Sequence, residues 1–158
     1  EIPGRLSQGQ KVWSYTTGLQ GDAPNWKLDF GLIHYRVTPW FDYRHGLAGL
    51  LYWTTAWWEG GNPWANENGV NGEGVLFYPG GPVGAVNAAI PSARLKALRD
   101  GMQDHDYLRL LAQLGDSSRA QQLATSVAPN WVTWSRDPAV IRAARAQAAA
   151  RILQLGGN

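Results

Sequence analysis

The chain has 158 residues, a formal net charge of +2 and no cysteine. This length suffices for one domain with a hydrophobic core, and the missing cysteine excludes disulfides, thiolate metal sites and cysteine nucleophiles. The sequence contains no cluster of Lys and Arg and no apolar run of about 20 residues, so we expect neither nucleic-acid binding nor a membrane span. The three histidines lack the spacing of metal ligands, and we predict no metal and no cofactor.

In chain order, the first predicted elements alternate between strand and helix. Residues 11–17 alternate apolar and polar side chains and are rich in β-formers, which predicts a strand. Residues 29–44 have helical spacing, although Pro39 should kink or divide that helix because proline lacks an N–H. Residues 48–55 and 74–78 have the length and composition of strands.

The second half of the chain is predicted to be helical. A helix should cover residues 91–114, with Pro91 in its first turn and with Gly101 lowering its propensity by ~1 kcal/mol relative to alanine. A shorter helix should follow over residues 117–127. Asp137 and Pro138 mark the start of a last helix as N-cap and first-turn proline. Its apolar stripe should be buried, and it consists of Ile141, Ala144, Ala148, Ile152 and Leu155.

Charged residues on the 91–114 helix are interpreted as a solvated face. As an alternative, Arg99 with Asp104 could tie this helix to the rim of a barrel. The face comprises Arg94, Lys96, Arg99, Asp100, Asp104 and Asp106.

The loop between the second and third predicted strands is unusually rich in tryptophan. The chain has nine tryptophans, and most of them precede residue 65. Flat aromatic rings stack on the C–H faces of sugars, and an indole N–H can bond a hydroxyl, so the loop predicts a carbohydrate site. The alternative is that some of these rings belong to the core. The predicted substrate-binding residues, at or beyond strand ends, are Tyr15, Trp53, Trp57, Trp58, Trp64 and Tyr78.

The same loop carries the carboxylates considered for catalysis. Glycoside hydrolysis needs two carboxyl groups, or one with a participating acetamido group of the substrate. Glu59 follows the C-terminal end of a strand, which is the catalytic end in barrel enzymes. Glu73 precedes a strand, so only curvature of the loop could bring it to that end. The alternative is that both are ordinary loop carboxylates.

The order of elements predicts an α/β fold with three neighbouring parallel strands, helices packed on one side and a helical tail. Three strands cannot close a barrel, so this is either a small open sheet or the C-terminal portion of a (β/α)8 barrel. We divide the chain into residues 1–115, a partial barrel domain with the tryptophan-rich loop, and residues 116–158, a C-terminal helical extension.

Three strings carry a resemblance to a known family, over about residues 11–114. They are LAGLLYWTTAWWEGGNPW, NGEGVLFYPG and IPSARLKALRDGMQDHDYLRLL, and they resemble the end of the glycoside hydrolase 123-like domain. The resemblance implies a (β/α)8 barrel and β-N-acetylgalactosaminidase-like, retaining chemistry, in a secreted or periplasmic protein. It also implies an adjacent Asp-Glu catalytic pair, which this chain lacks, so we expect that pair upstream of residue 1.

Three functions remain open from the sequence. The chain is the C-terminal part of a glycoside hydrolase that contributes sugar contacts, a non-catalytic carbohydrate-binding module, or a structural fragment that needs a partner chain. The expected partner is an oligosaccharide or glycan. An unpaired strand edge also predicts self-association, or completion by a missing N-terminal barrel half.

Overall fold

The structure is a computed structural model and describes residues 1–18, 21–67 and 69–156. Within these ranges the chain forms five α-helices and four short strands, a mixed α/β architecture that agrees with the predicted class. Two single 3-10 turns, Pro63–Ala65 and Gly81–Val83, interrupt the loops. The elements are α1 (Ile2–Ser7), β1 (Trp13–Thr16), α2 (Ile33–His45), β2 (Gly49–Tyr52), β3 (Phe77–Pro79), β4 (Ala89–Pro91), α3 (Ala93–Gln113), α4 (Ser117–Val127) and α5 (Pro138–Gly156).

The first two strands pair as predicted, and the third does not. β1 and β2 are parallel, with Tyr15 opposite Leu51. β3 pairs antiparallel with β4, and Val75 forms an antiparallel bridge with Ala56. A parallel neighbour requires a crossover connection, usually a helix, whereas the described part of the loop before β3 holds a single 3-10 turn. The predicted third parallel strand is therefore wrong, and the described residues do not close a barrel.

The boundaries of α2 and α3 correct two predictions about proline. α2 continues through Pro39, which is buried, so of the two predicted outcomes the helix is not divided there, and a kink at Pro39 stays a prediction. Burial of the α2 face against α3 supplies the stability that the missing hydrogen bond removes. α3 begins after Ser92, whose hydroxyl accepts a hydrogen bond from the backbone N–H of Leu95 at 3.1 Å. Pro91 accordingly ends β4 instead of opening the helix.

Four helices share the main core. α2, α3, α4 and α5 contribute its buried side chains, with Trp134 at its edge. The stripe predicted on α5 is confirmed at Ile141, Ala144 and Ala148, which are buried, whereas Ile152 and Leu155 are only partly buried against the same core. A smaller core of Trp26, Tyr35 and Leu76, which links α2 to the segment before β3, is packed by side chains of β2 and α3.

The predicted solvated face of α3 is wrong at two positions. Arg94 is 5% exposed and Asp104 is 0% exposed. Arg99 pairs with the adjacent Asp100 at the surface and not with Asp104. The carboxylate of Asp104 instead joins α3 to α2 and α5, because it accepts hydrogen bonds from Arg36, Trp40 and Arg145.

One face of the parallel pair is exposed and apolar. Along β1, Ser14 and Thr16 face the helices, whereas Trp13 and Tyr15 are 58% and 47% exposed. Leu51 lies opposite Tyr15 and is also exposed. Aromatic rings on an open sheet face form a surface on which sugar or another protein can pack.

A buried carboxyl group in the last turns of α2 makes the stability of the protein depend on pH. Burial raises the pKa of Asp42 to about 6, although Ser14 beside it acts in the opposite direction. Oδ1 of Asp42 has no hydrogen-bond partner among the described residues. Ionising the Asp42 carboxyl group therefore costs more free energy in the folded state than in the unfolded state. The resulting loss of folding stability grows as the pH rises from 4 to 6 and stays constant above pH 6.

We expect Asp42→Asn to stabilise the protein at pH 7.5 by about 2–3 kcal/mol and to leave its stability at pH 4 unchanged. Urea unfolding of variant and wild type at both pH values measures this difference. Asp106→Asn, a change at an exposed carboxylate on α3, serves as the control. An equal effect of Asp42→Asn at both pH values would show that ionisation is not the cause.

Candidate functional site

An open cleft of about 640 Å³ lies between the start of α3 and the tryptophan-rich loop. Its walls come from the 28–32 segment, the turn that contains Trp64, Tyr78 of β3 and residues 90–94. These segments are far apart in sequence, so the cleft exists only in the folded chain. No Asp or Glu is among the lining residues.

Trp64 and Tyr78 form an aromatic platform in this cleft. Their ring centroids are 4.6 Å apart with planes inclined by 44°. The indole N–H of Trp64 donates to the carbonyl oxygen of Pro79 at 2.8 Å, and its backbone N–H donates to the side chain of Asn62 at 3.1 Å. Trp64 nevertheless remains 41% exposed. A fixed, exposed indole is suited to stacking on a pyranose ring.

Trp53 and Trp57 form a second aromatic pair outside the lining of the cleft. Their centroids are 5.4 Å apart, and Trp53 is 44% exposed. Gly74 permits this arrangement, because a Cβ there would lie 2.6 Å from the Trp53 ring. The positive φ of 75° at Gly74 also favours glycine.

The other two predicted aromatic residues do not line the cleft either. Tyr15 lies on the exposed face of the parallel pair. The indole N–H of Trp58 donates to the carbonyl oxygen of Phe77 at 2.9 Å, which holds Trp58 along β3. The structure thus distributes the six aromatic residues over at least two places, and their role in sugar binding stays a prediction.

Loop curvature brings Glu73 to the C-terminal edge of the parallel strands. Its Oε1 accepts a hydrogen bond at 2.5 Å from the backbone N–H of Gly18, two residues beyond β1. The neighbouring N–H of Gly74 donates to the hydroxyl of Tyr52, the last residue of β2, at 2.6 Å. Positive φ angles at Gly72 and Gly74 make this turn possible. Glu59 follows β2 and is exposed.

Burial shifts the pKa values of three side chains near this edge so that Tyr35, Tyr52 and His34 are neutral at pH 7. Burial raises the pKa of Tyr52 and the pKa of Tyr35 to about 12. Burial, and then the charge of Arg136, lower the pKa of His34 to about 4. Nδ1 of His34 accepts the backbone N–H of Asn25 at 3.0 Å, which explains a structural role for this imidazole.

Arg94 lines the cleft and is buried, whereas the sequence predicts a solvated position for it. A signal for its burial exists in the sequence, because the helical stripe of Leu108 and Leu111 extends back through Asp104, Gly101 and Arg94. Because Arg94 and Asp104 are charged, the apolar pattern alone does not identify this stripe. Arg94 donates hydrogen bonds to the segment that carries Tyr78.

No group of three or more His, Asp or Glu side chains among the described residues could hold a metal ion. None of the helices in this part of the chain has the length and apolar composition that crossing a membrane requires.

Comparison with known proteins confirms the family resemblance. Residues 2–111 match the family described as "Glycoside hydrolase 123, catalytic domain", which is more than half of the chain. No curated protein matches the chain.

Proposed function

The chain belongs to the glycoside hydrolase 123 family, and we propose that it is the C-terminal part of a retaining β-N-acetylhexosaminidase-like barrel that supplies aromatic contacts to the sugar. The parallel pair β1–β2 with α2 and α3 corresponds to the last units of that barrel in this proposal. Residues 1–115 form the partial barrel domain, and residues 116–158 extend it.

The Trp64–Tyr78 platform is the observation that carries the proposal. It combines an exposed indole face with an aromatic neighbour in a cleft large enough for a sugar ring. Trp53 and Trp57 supply a second aromatic surface near the ends of the parallel strands. Aromatic platforms of this kind bind neutral saccharides weakly, with free energies of about 4–6 kcal/mol, which correspond to dissociation constants from millimolar to tens of micromolar.

Glu73 does not line the cleft, and in this proposal its position suits a role at the second aromatic surface, without independent catalysis. Its carboxylate lies at the C-terminal edge of the parallel strands, where barrel enzymes place their reacting groups. The Asp-Glu pair of the resembled family is absent from this sequence. We therefore expect no turnover of an aryl N-acetyl-β-galactosaminide by this chain alone, and turnover would make Glu59→Gln and Glu73→Gln the first variants to assay.

Titration of intrinsic tryptophan fluorescence with N-acetylgalactosamine and with β-linked oligosaccharides tests the proposal. We expect saturable binding, and we expect Trp64→Ala to weaken it about tenfold because the stacking face is lost. Leu153→Ala, at an exposed position on α5, is the control. An unchanged affinity in Trp64→Ala would remove the cleft from the site, and no response of the wild type at high millimolar sugar would refute the function.

The exposed sheet face supports a second candidate, a fragment completed by a partner. Trp13, Tyr15 and Leu51 offer an exposed apolar surface on a sheet that has two strands among the described residues. The edges of such small sheets associate with other strands. In this alternative the partner is a second copy of the chain or the remainder of the barrel, and Tyr15 is an interface residue instead of a sugar ligand. A non-catalytic carbohydrate-binding module is the remaining alternative, and it would use the same aromatic residues.

A further inference from the structure

A single buried guanidinium connects α3 to the segment that ends at the aromatic platform. Arg94 is 5% exposed, and no carboxylate among the described residues forms an ion pair with it. Its partners are instead neutral oxygen atoms. Nη1 donates to the carbonyl oxygen of Gly72 at 2.8 Å, and Nη2 donates to the carbonyl oxygen of Val75 and, at 2.8 Å, to the hydroxyl of Tyr78.

These contacts determine where the ring of Tyr78 lies. The hydroxyl of Tyr78 is bonded to Arg94 at one end of the ring, and the backbone of Tyr78 is held by pairing with Ile90. The guanidinium carbon lies 5.8 Å from the Tyr78 centroid and 5.9 Å from the centroid of Tyr35. Trp64 then packs against Tyr78 at 4.6 Å. A chain of contacts thus leads from α3 to the exposed indole.

We propose that Arg94 is a positioning residue of the saccharide site, acting through the Tyr78 hydroxyl to hold the Trp64–Tyr78 platform. This inference rests on the proposed sugar binding. It accounts for a buried cation without a counter-charge, since the planar fork of arginine reaches two carbonyls and two phenols at once, the second phenol being Tyr35 at 3.4 Å from Nη1. Lysine carries its three donors on one nitrogen, so it cannot match acceptors that the two terminal nitrogens of this fork bind separately.

Three variants separate positioning from folding. Tyr78→Phe keeps the ring and removes only the oxygen that Arg94 holds, Arg94→Lys keeps the charge, and Lys96→Met at an exposed position of α3 is the control. We expect Tyr78→Phe to lower the affinity for the sugar that binds wild type about 3–10-fold, the amount typical of one hydrogen bond, with a small change in melting temperature. Arg94→Lys should lower it by at least as much, and adding Tyr78→Phe to Arg94→Lys should cause no further loss.

A second measurement does not use sugar. The near-ultraviolet circular dichroism of each protein, minus that of its Trp64→Phe version, reports how rigidly Trp64 is held. We expect this signal to weaken in Tyr78→Phe and in Arg94→Lys and to persist in Lys96→Met. Should Arg94→Lys fail to fold, Tyr78→Phe alone decides.

Wild-type affinity and an intact Trp64 signal in Tyr78→Phe would overturn the proposal, as would additive losses in the double variant. If the wild type binds no sugar, the proposed function fails and the binding role of Arg94 fails with it. In that case a weakened Trp64 signal in Tyr78→Phe would still show that the Tyr78 hydroxyl positions the Trp64 ring. This measurement therefore distinguishes failure of the proposed function from failure of the positioning role.

Discussion

Asp104→Ala should lower the free energy of unfolding by about 3–5 kcal/mol, because it leaves two arginines without the buried carboxylate that pairs with them. Arg36 and Arg145 bond this carboxylate at 2.8 and 3.0 Å from α2 and α5. The indole N–H of Trp40 adds a third donor at 3.1 Å. The substitution therefore removes a connection among three helices of the main core.

Urea unfolding monitored by circular dichroism at 222 nm measures this loss. Asp106→Ala is the matched control, because Asp106 lies two residues further along the same helix, is 65% exposed and forms one surface pair with Arg109. The control should unfold within experimental error of the wild type. Equal behaviour of the two variants would show that the buried cluster adds nothing to stability.

Gly101→Ala should also destabilise the protein, by about 2 kcal/mol or more. A Cβ at this position would lie 2.3 Å from the carbonyl oxygen of Arg36, because α2 and α3 cross closely there. Helix propensity favours alanine by ~1 kcal/mol, whereas overpacking against backbone costs about 1–3 kcal/mol, and more where neither helix can shift. Separating the helices would additionally lengthen the hydrogen bonds between Arg36 and Asp104.

Thermal and urea unfolding of Gly101→Ala provide the measurement. Gly4→Ala is the control, since a Cβ at Gly4 of α1 meets nothing within 4 Å. It should leave the stability unchanged or increase it by up to about 1 kcal/mol. If Gly101→Ala stabilised the protein, the gain in helix propensity would outweigh the cost of overpacking between α2 and α3.

The helices and the first strand pair could be predicted from sequence because their signals are local. A cap and a first-turn proline placed the start of α5, and the apolar stripe from Ile141 to Ala148 identified its buried face. Alternation of apolar and polar residues marked β1, although the structure exposes its aromatic residues and buries Ser14 and Thr16, and parallel pairing with β2 followed from the helix between them. The aromatic and glycine-rich strings sufficed for the family.

Contacts between distant segments decided what the sequence left open. Glu73 reaches Gly18 across 55 positions, and Arg36 reaches Asp104 across 68. The sequence predicts that Arg94 is exposed, because an isolated charge most often is, and only the carbonyls of the folded loop make its burial favourable.

The sequence by itself determined the α/β class, the positions of the main helices and the family, since periodicity, caps and motifs are properties of short segments. Tertiary structure decided the antiparallel pairing of β3, the return of Glu73 to the strand ends and the division of the aromatic residues between the cleft and its surroundings. Those features depend on which backbone and side-chain groups meet through space, and the free energy of such contacts cannot be read from residues adjacent in the chain.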